Sequence, residues 1–172
     1  MTNDMSYNLG DWGLDLQTLQ HGAICMYHSA SLLDIDLSWY RNSNYRVAEF
    51  DTLGWTEETA HEALATVLGF PDYYGRNLDA FNDCLGDMYS ADNRGLVIVL
   101  RHYDNITRSE PSFSWGLLDV IAHVSRHWLL TGHRLIGIVQ SEDPHLRYDR
   151  VGGAAPFWNS KEWLDANRVA KH

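Results

Sequence analysis

Short apolar runs that alternate with helix-forming stretches are the feature that most limits the folds open to this chain. Three runs rich in β-branched residues have the length and composition of strands buried on both faces of a sheet. They lie at residues 46–50, 96–100 (LVIVL) and 135–139 (LIGIV), and a weaker fourth lies at 23–27 (AICMY). Because helical stretches separate the runs, the sequence predicts an α/β fold with a mostly parallel sheet.

Helix signals fill the intervals between these runs. Thr56 is a candidate N-cap, and the helix after it should end near Gly69 and bury a stripe of apolar residues: Ala60, Ala63, Leu64, Val67 and Leu68. A second long helix is predicted at 114–130, with one face formed by Leu117, Leu118, Ile121, Val124 and Trp128. The stretch 32–41 is helix-compatible, so 23–50 would form a βαβ unit that extends the sheet by one N-terminal strand.

Composition limits the class of protein and its partners. With 172 residues, 45% of them apolar and 21% charged, the chain is predicted to fold as one domain. No run approaches the ~20 apolar residues of a membrane span, and the first basic residue is Arg41, so we expect no secretory signal and a cytoplasmic location. The net charge of −10 disfavours nucleic acid and anionic membranes as partners and favours a basic protein.

The stretch 70–88 (FPDYYGRNLDAFNDCLGDM) contains the clearest functional signal. Pro71 and Gly75 mark a turn that holds two tyrosines, and Asn77 can cap a helix that runs to about Leu85. A helical projection gives two opposed faces. The apolar face holds Leu78, Phe81, Cys84, Leu85 and Met88, and the polar face holds Asp79, Asn82, Asp83 and Gly86.

Asp79 and Asp83 form a like-charge i, i+4 pair, which costs an isolated helix about 0.2 to 0.5 kcal/mol. Acids beside Tyr73 and Tyr74 are typical of a surface that docks a basic protein. Tyrosine gives contact area at low entropy cost, and aspartate binds Arg or Lys through charge-assisted hydrogen bonds. A purely structural alternative stays open, in which Asp79 suits the helix dipole, Asp83 is solvated, and both tyrosines pack inward.

Segment 70–85 resembles the loop and helix of the barstar family, intracellular inhibitors of secreted ribonucleases, in which it reads LPEYYGENLDALWDCL. The shared residues stand in the same order without a gap: Pro71, Tyr73, Tyr74, Gly75, Asn77, Leu78, Asp79, Ala80, Asp83, Cys84 and Leu85. The predicted elements over 45–140 fit the family's small parallel sheet with flanking helices. Two segments fall outside the resemblance: an acidic N-terminal extension at 1–44, expected to form a β-α unit packed on the sheet, and a C-terminal extension at 141–172 with a short helix beginning near Ser160.

The resemblance implies a non-catalytic inhibitor that plugs the active site of a basic, barnase-like secreted ribonuclease. Such an inhibitor needs no cofactor and no metal, and we expect it to be monomeric when free. By resemblance Asp83 is the main anchor, Asp79 a second charged contact and Tyr73 an aromatic contact. The rest of the expected partner-binding set comprises Tyr74, Gly75, Arg76, Asn77, Asn82 and His127.

Three of these residues depart from the family pattern. Asn82 replaces a tryptophan, and Arg76 and His127 replace acids. The changes remove a large aromatic anchor and two negative charges, and they add a positive charge. We therefore expect a ribonuclease with a less basic rim than barnase.

Other functions have weaker support in the sequence. His123 and His127 have the i, i+4 spacing of two zinc ligands, but spacing marks no third ligand. No GxSxG elbow or phosphate-binding glycine loop is present, so no catalytic residue is nominated. The alternative to ribonuclease inhibition is an interaction domain that keeps the fold but binds another basic protein or a nucleic-acid-processing complex.

Overall fold

A computed structural model of the chain describes residues 13–164. Its strands are β1 (Ile24–Tyr27), β2 (Tyr45–Asp51), β3 (Gly95–Arg101), β4 (Arg134–Gln140) and β5 (Phe157–Trp158). Its helices are α1 (Leu14–Leu19), α2 (Ala30–Asn42), α3 (Glu57–Leu68), α4 (Leu78–Gly86), α5 (Tyr103–Ser109) and α6 (Pro111–Leu130). A 3₁₀-helix, Ser160–Leu164, ends the described part.

The strands form one parallel sheet in the order β2-β3-β4-β1-β5. Val97 of β3 lies opposite Val47 of β2 on one side and Ile136 of β4 on the other. The predicted α/β class is confirmed, and so is the extra N-terminal strand, which is β1. β1 pairs with β4, so β3 and β4 separate it from β2. The sequence did not predict β5, which adds two more residues to the same edge.

Helices cover both faces of the sheet. Along β3, Ile98 and Leu100 pack with the core under α3, α4 and α6, whereas Val97 and Val99 pack with the core under α1 and α2. All four side chains are fully buried. This two-sided burial explains why the run LVIVL is continuously apolar and does not alternate with polar residues.

The helix predictions are confirmed with three corrections. Helix α3 begins after Thr56, which forms a capping box with Thr59, and it ends at Gly69, whose φ of 74° is left-handed. Val67 was predicted to be buried but is 44% exposed. The buried stripe of α3 is formed by Ala60, His61, Leu64 and Leu68, and Val67 lies beside it. Helix α6 begins at Pro111, earlier than expected, because proline suits the first helical turn. The short helix α5 was not predicted.

The N- and C-terminal parts of the described chain pack against each other. The Tyr27 hydroxyl donates to Oδ2 of the buried Asp36 (2.6 Å), and Lys161 pairs with Oδ1 of the same carboxylate. Glu162 Oε1 accepts the backbone N–H groups of His28 and Ser29, both at 2.9 Å.

The division of the chain at residues 44 and 140 stays a prediction. Residues 1–12 of the expected N-terminal extension and 165–172 of the expected C-terminal extension lie outside the described residues. Within residues 13–164, no helix combines the length and apolar character that crossing a bilayer requires.

Candidate protein-binding site

Helix α4 begins at a side-chain cap. Asn77 Oδ1 accepts the backbone N–H of Ala80 at 2.8 Å, and Asn77 Nδ2 donates to the Gly75 carbonyl at 3.3 Å. One amide therefore fixes both the first turn of the helix and the end of the preceding loop. Both ends of the Asn77 side chain form a hydrogen bond within the chain, and the expected contact of this exposed residue with a partner stays a prediction.

The inner face of α4 is fixed to the core. Phe81 and Leu85 are fully buried, and Trp128 Nε1 of α6 donates to the Gly86 carbonyl at the helix end (3.3 Å). Gly116 of α6 lets the two helices approach closely, since a Cβ there would lie 2.5 Å from Cδ1 of Leu78. The outer face of α4 is thus held on a rigid support.

Asp79 and Asp83 lie on that outer face and are exposed. Asn82, between them, is half-buried and its Nδ2 lies 3.4 Å from Asp83 Oδ1. Among residues 13–164, neither aspartate forms an ion pair. Two carboxylates one helical turn apart are therefore available to a cationic partner.

The two tyrosines of the loop point in different directions. Tyr73 is 86% exposed, whereas Tyr74 is 8% exposed and packs against Phe70 with a ring centroid distance of 4.9 Å. The Tyr74 ring fills the core beneath the loop, and its expected contact with a partner stays a prediction. Tyr73 is the aromatic side chain that the loop presents to solvent.

The buried Tyr74 is held by His61, a residue that the sequence analysis missed. The Tyr74 hydroxyl lies 2.5 Å from His61 Nδ1, and His61 Nε2 has no hydrogen-bond partner within the described part of the chain. Burial lowers the pKa of His61 and raises the pKa of Tyr74. The i, i+3, i+7 spacing of His61 with Leu64 and Leu68 was the signal that could have placed it on the buried stripe.

Arg76 adopts a left-handed backbone conformation, with φ of 50°. Its Nη1 donates to Oε1 of Glu62 on α3 at 3.0 Å, and both side chains are about half exposed. The basic charge that this residue adds to the loop is therefore directed toward α3 and partly neutralised.

A group of unpaired acidic side chains lies on and beside α4. Five aspartates between residues 72 and 92 form no ion pair within the described residues: Asp72, Asp79, Asp83, Asp87 and Asp92. Three buried aspartates elsewhere each contact a basic side chain: Asp15 with Arg134, Asp36 with Lys161, and Asp104 with Arg108. Burial is the main cause that raises the pKa of the Cys84 thiol on α4, and the negative charges of Asp83 and Asp87 raise it further.

His127 is exposed on α6 and lines a cleft that also contains Asn82 and Asp83. His123, one turn earlier on α6, lines the same cleft. Within residues 13–164, no three His, Cys, Asp or Glu side chains are arranged to hold a metal ion. The structure therefore brings the expected residues Asn82, Asp83 and His127 to one cleft, and the described residues offer no third ligand for the histidine pair.

Comparison with known proteins identifies a related family. A family model described as barstar (barnase inhibitor) matches residues 45–140. Over 64 residues the chain is 39% identical to YrdF of Bacillus subtilis (strain 168), which is named as a proposed ribonuclease inhibitor. That match covers 37% of this chain and 67% of YrdF.

A solved structure of Drosophila ORC bound to AT-rich DNA and Cdc6 also contains a chain with a partial match. The match covers 87% of this chain and 54% of the other chain, at 11% identity and a TM-score of 0.49. At that identity and TM-score it carries no argument about fold or function.

Proposed function

The chain belongs to the barstar family, and from that premise we propose that it is a non-catalytic inhibitor that plugs the active site of a barnase-type secreted ribonuclease. The relative named as a proposed ribonuclease inhibitor supports the same function. The inhibitor would act in the cytoplasm as a monomer, before the enzyme is exported, and would bind the enzyme and not its RNA.

The observation that carries the proposal is the pair of exposed, unpaired carboxylates of Asp79 and Asp83 on α4. A ribonuclease active site stabilises a phosphodiester anion with a cluster of fixed positive groups. A carboxylate on a rigid helix can satisfy those donors with little ordering cost, because its position is set before binding. In this proposal Asp83 enters the phosphate-binding position and Asp79 makes a second charged contact.

The loop before α4 supplies the aromatic part of the proposed interface. Tyr73 is exposed and would lie against the enzyme surface together with the exposed Gly75 and Asn77, while the buried Tyr74 supports the loop from below. Such a division between an exposed anchor and a buried support reduces the entropy lost on binding.

Three residues at the edge of this surface would set the choice of ribonuclease. Asn82 offers a small amide where the family has a large aromatic side chain, and His127 offers an imidazole where the family has an acid. Arg76 places a basic group on the loop, although Glu62 partly neutralises it. These side chains favour an enzyme whose rim is less basic than that of barnase.

Affinity capture from the producing organism tests the proposal. The immobilised protein should retain a small basic ribonuclease, and the purified enzyme should stop cleaving RNA when the protein is added in equimolar amount. An Asp83→Ala bait should retain much less of it, whereas an Asp92→Ala bait should behave like the wild type, since Asp92 lies outside α4. If no captured ribonuclease is inhibited, the proposal fails and the alternative of an interaction domain is favoured.

A further inference from the structure

A cleft of about 440 Å³ lies at the amino-terminal ends of strands β3 and β4, where the start of α1 forms one of its sides. Its lining includes Arg94, His133 and Arg134, and we call it the basic cleft. None of the described residues that line it belongs to the proposed ribonuclease-binding surface. In a protein with a net charge of −10, three basic side chains thus lie at one place, and the proposed function gives them no role.

The two arginines are neighbours because β3 and β4 begin in register. Gly95 lies opposite Arg134, which places Arg94, one residue earlier, beside the start of β4. A Cβ at Gly95 would lie 2.1 Å from the Arg134 carbonyl oxygen, so the close approach of the two strands requires glycine at this position. The backbone therefore fixes the spacing of the two arginines before any ligand binds.

Both guanidinium groups converge on Asp15 of α1, which is 1% exposed. Arg134 Nη1 donates to Asp15 Oδ2, whereas Arg94 Nη1 lies 3.9 Å from the same oxygen, too far for a hydrogen bond. Asp15 also accepts the Tyr45 hydroxyl at 2.5 Å and the backbone N–H of Leu16 at 2.9 Å. Asp15 is therefore satisfied within the chain, while the Arg94 side chain has no hydrogen bond within residues 13–164.

The basic cleft keeps an excess of positive charge. Asp15 is the one acidic side chain in its described lining, and one carboxylate balances one of two guanidinium groups. The side chains of Arg94 and Arg134 are 49% and 30% exposed, so a ligand can reach both. The side-chain amide of Asn93 lines the same cleft and has no hydrogen bond to another described residue. Three side chains therefore offer N–H donors to a ligand in this cleft.

We propose that the basic cleft binds a phosphate group, either free or carried by a small phosphomonoester. Arg94 donates through its guanidinium group, Arg134 through the N–H groups that do not contact Asp15, and Asn93 through its side-chain amide. His133, at the same cleft, adds a positive charge when it is protonated. This inference goes beyond the proposed function and does not depend on it.

A phosphate group suits these donors better than a carboxylate does. Phosphate has three strong acceptor oxygens and nearly two negative charges at neutral pH, whereas a carboxylate has two oxygens and one charge. Guanidinium groups bind phosphate through paired N–H···O hydrogen bonds. Asp15 already supplies one carboxylate and leaves a positive charge unbalanced, so an anion of higher charge is favoured.

The size of the basic cleft leaves room for more than a bare ion. Its volume lies in the range of small-molecule sites, roughly 300 to 1,000 Å³. Its lining includes Gly13, Ala91 and Gly132, whose small side chains keep the space open. A phosphate group attached to a small polar molecule can therefore enter.

Amide chemical shifts of the full chain, titrated with inorganic phosphate at neutral pH and constant ionic strength, test this proposal. Shifts should cluster at Asn93, Arg94, His133 and Arg134, and acetate should bind several-fold more weakly. Arg94→Gln should weaken phosphate binding about fivefold, because it removes a charged donor. Its fold should be kept, since Arg94 is half exposed and its nearest charged group lies 3.9 Å away. Arg150→Gln is the matched control, because Arg150 is exposed and lies outside the cleft.

A second titration, with glycerol 3-phosphate, distinguishes the two sources of the phosphate group. Tighter binding of glycerol 3-phosphate than of inorganic phosphate would support a phosphomonoester ligand, and the reverse order would support free phosphate. Glycerol alone should cause no shifts in the cleft.

Three results would overturn the phosphate site: no clustered shifts, equal binding of acetate and phosphate, or unchanged phosphate binding by Arg94→Gln. Neither the probes nor the measurement involves a ribonuclease. Failure of the phosphate site would therefore leave the proposed inhibition standing, and failure of the proposed inhibition would leave the phosphate site standing.

Discussion

The Tyr74 hydroxyl lies 2.5 Å from Nδ1 of His61, and this contact ties the loop that presents Tyr73 to helix α3. His61 is fully buried, and its ring also packs edge-on against Phe113 of α6 at a centroid distance of 5.3 Å. The exposed tyrosine and the acidic face of α4 therefore stand on a buried polar contact that joins the loop to two helices.

Removing the Tyr74 hydroxyl should destabilise the protein without removing apolar packing. Tyr74→Phe leaves the buried His61 Nδ1 without its partner, which should lower the free energy of unfolding by about 1 to 3 kcal/mol. Tyr73→Phe is the matched control, since its ring is 86% exposed and the change should have little effect. Urea denaturation of both variants measures the difference. Equal free energies of unfolding would show that the contact contributes nothing.

Acid should weaken the fold through His61. Burial lowers the pKa of this imidazole. At mildly acidic pH, His61 is therefore protonated more readily in the unfolded chain than in the folded chain. The contribution of neutral His61 to the free energy of unfolding is complete above the ordinary imidazole pKa of about 6.5. It is lost as the pH falls from that value toward the pKa of His61 in the folded chain. Linkage limits the loss to about 1.4 kcal/mol per pH unit for one proton.

Urea denaturation at pH 7.5, 6.5 and 5.5 measures this effect. His61→Asn, which keeps a polar group but cannot be protonated, should be less stable than the wild type at pH 7.5. It should also lose less stability between pH 7.5 and 5.5 than the wild type does. The same pH slope in both proteins would mean that His61 is not the responsible group.

The contact between Lys161 and Asp36 should hold the C-terminal part of the described chain onto α2. Asp36 is 2% exposed, and among residues 13–164 Lys161→Met would leave its carboxylate with the Tyr27 hydroxyl as its single side-chain partner. Because the Lys161 side chain is 46% exposed, we expect a loss of about 1 to 3 kcal/mol, less than for a fully buried pair. Lys161→Arg should retain most of the stability. In the Asp36→Asn background, Lys161→Met should cost much less, and an unchanged cost in thermal or urea denaturation would refute the pairing.

Asp83→Ala should stabilise the free protein slightly. The change relieves the repulsion between Asp79 and Asp83 and places a better helix former on α4, and together these effects amount to roughly 0.5 to 1 kcal/mol. Urea denaturation should therefore show a small gain, while the same variant loses partner binding. A clear loss of stability would mean that Asp83 supports the fold, and its effect on binding would then need another explanation.

Local signals were enough to predict α4 and its faces. The Asn77 cap and the apolar spacing of Phe81 and Leu85 lie within one short segment, so the helix and its inward face follow from the sequence alone. The strand β3 was predicted for the same reason, since an uninterrupted apolar run fits burial on both faces.

Features that depend on contacts between distant parts of the chain could not be predicted from local sequence patterns. The opposite directions of Tyr73 and Tyr74 depend on His61, and the orientation of Arg76 depends on Glu62 across the loop. Strand β5 has only two residues and exists because it pairs with β1, so no periodic pattern marks it. Local patterns could not place His127 beside Asp83, because the two residues come from helices that are far apart in the sequence, and it was the family resemblance that grouped them.

The most direct test of the account is the dissociation constant of the complex with the captured ribonuclease, measured for the wild type and for Asp83→Ala. Removing one member of a buried charge pair costs about 3 to 5 kcal/mol, so the account predicts a loss of affinity of at least about 100-fold. Asp92→Ala should change the constant less than about twofold, because an exposed charge outside the interface contributes little. Wild-type affinity in the Asp83→Ala variant would contradict the claim that α4 plugs the active site.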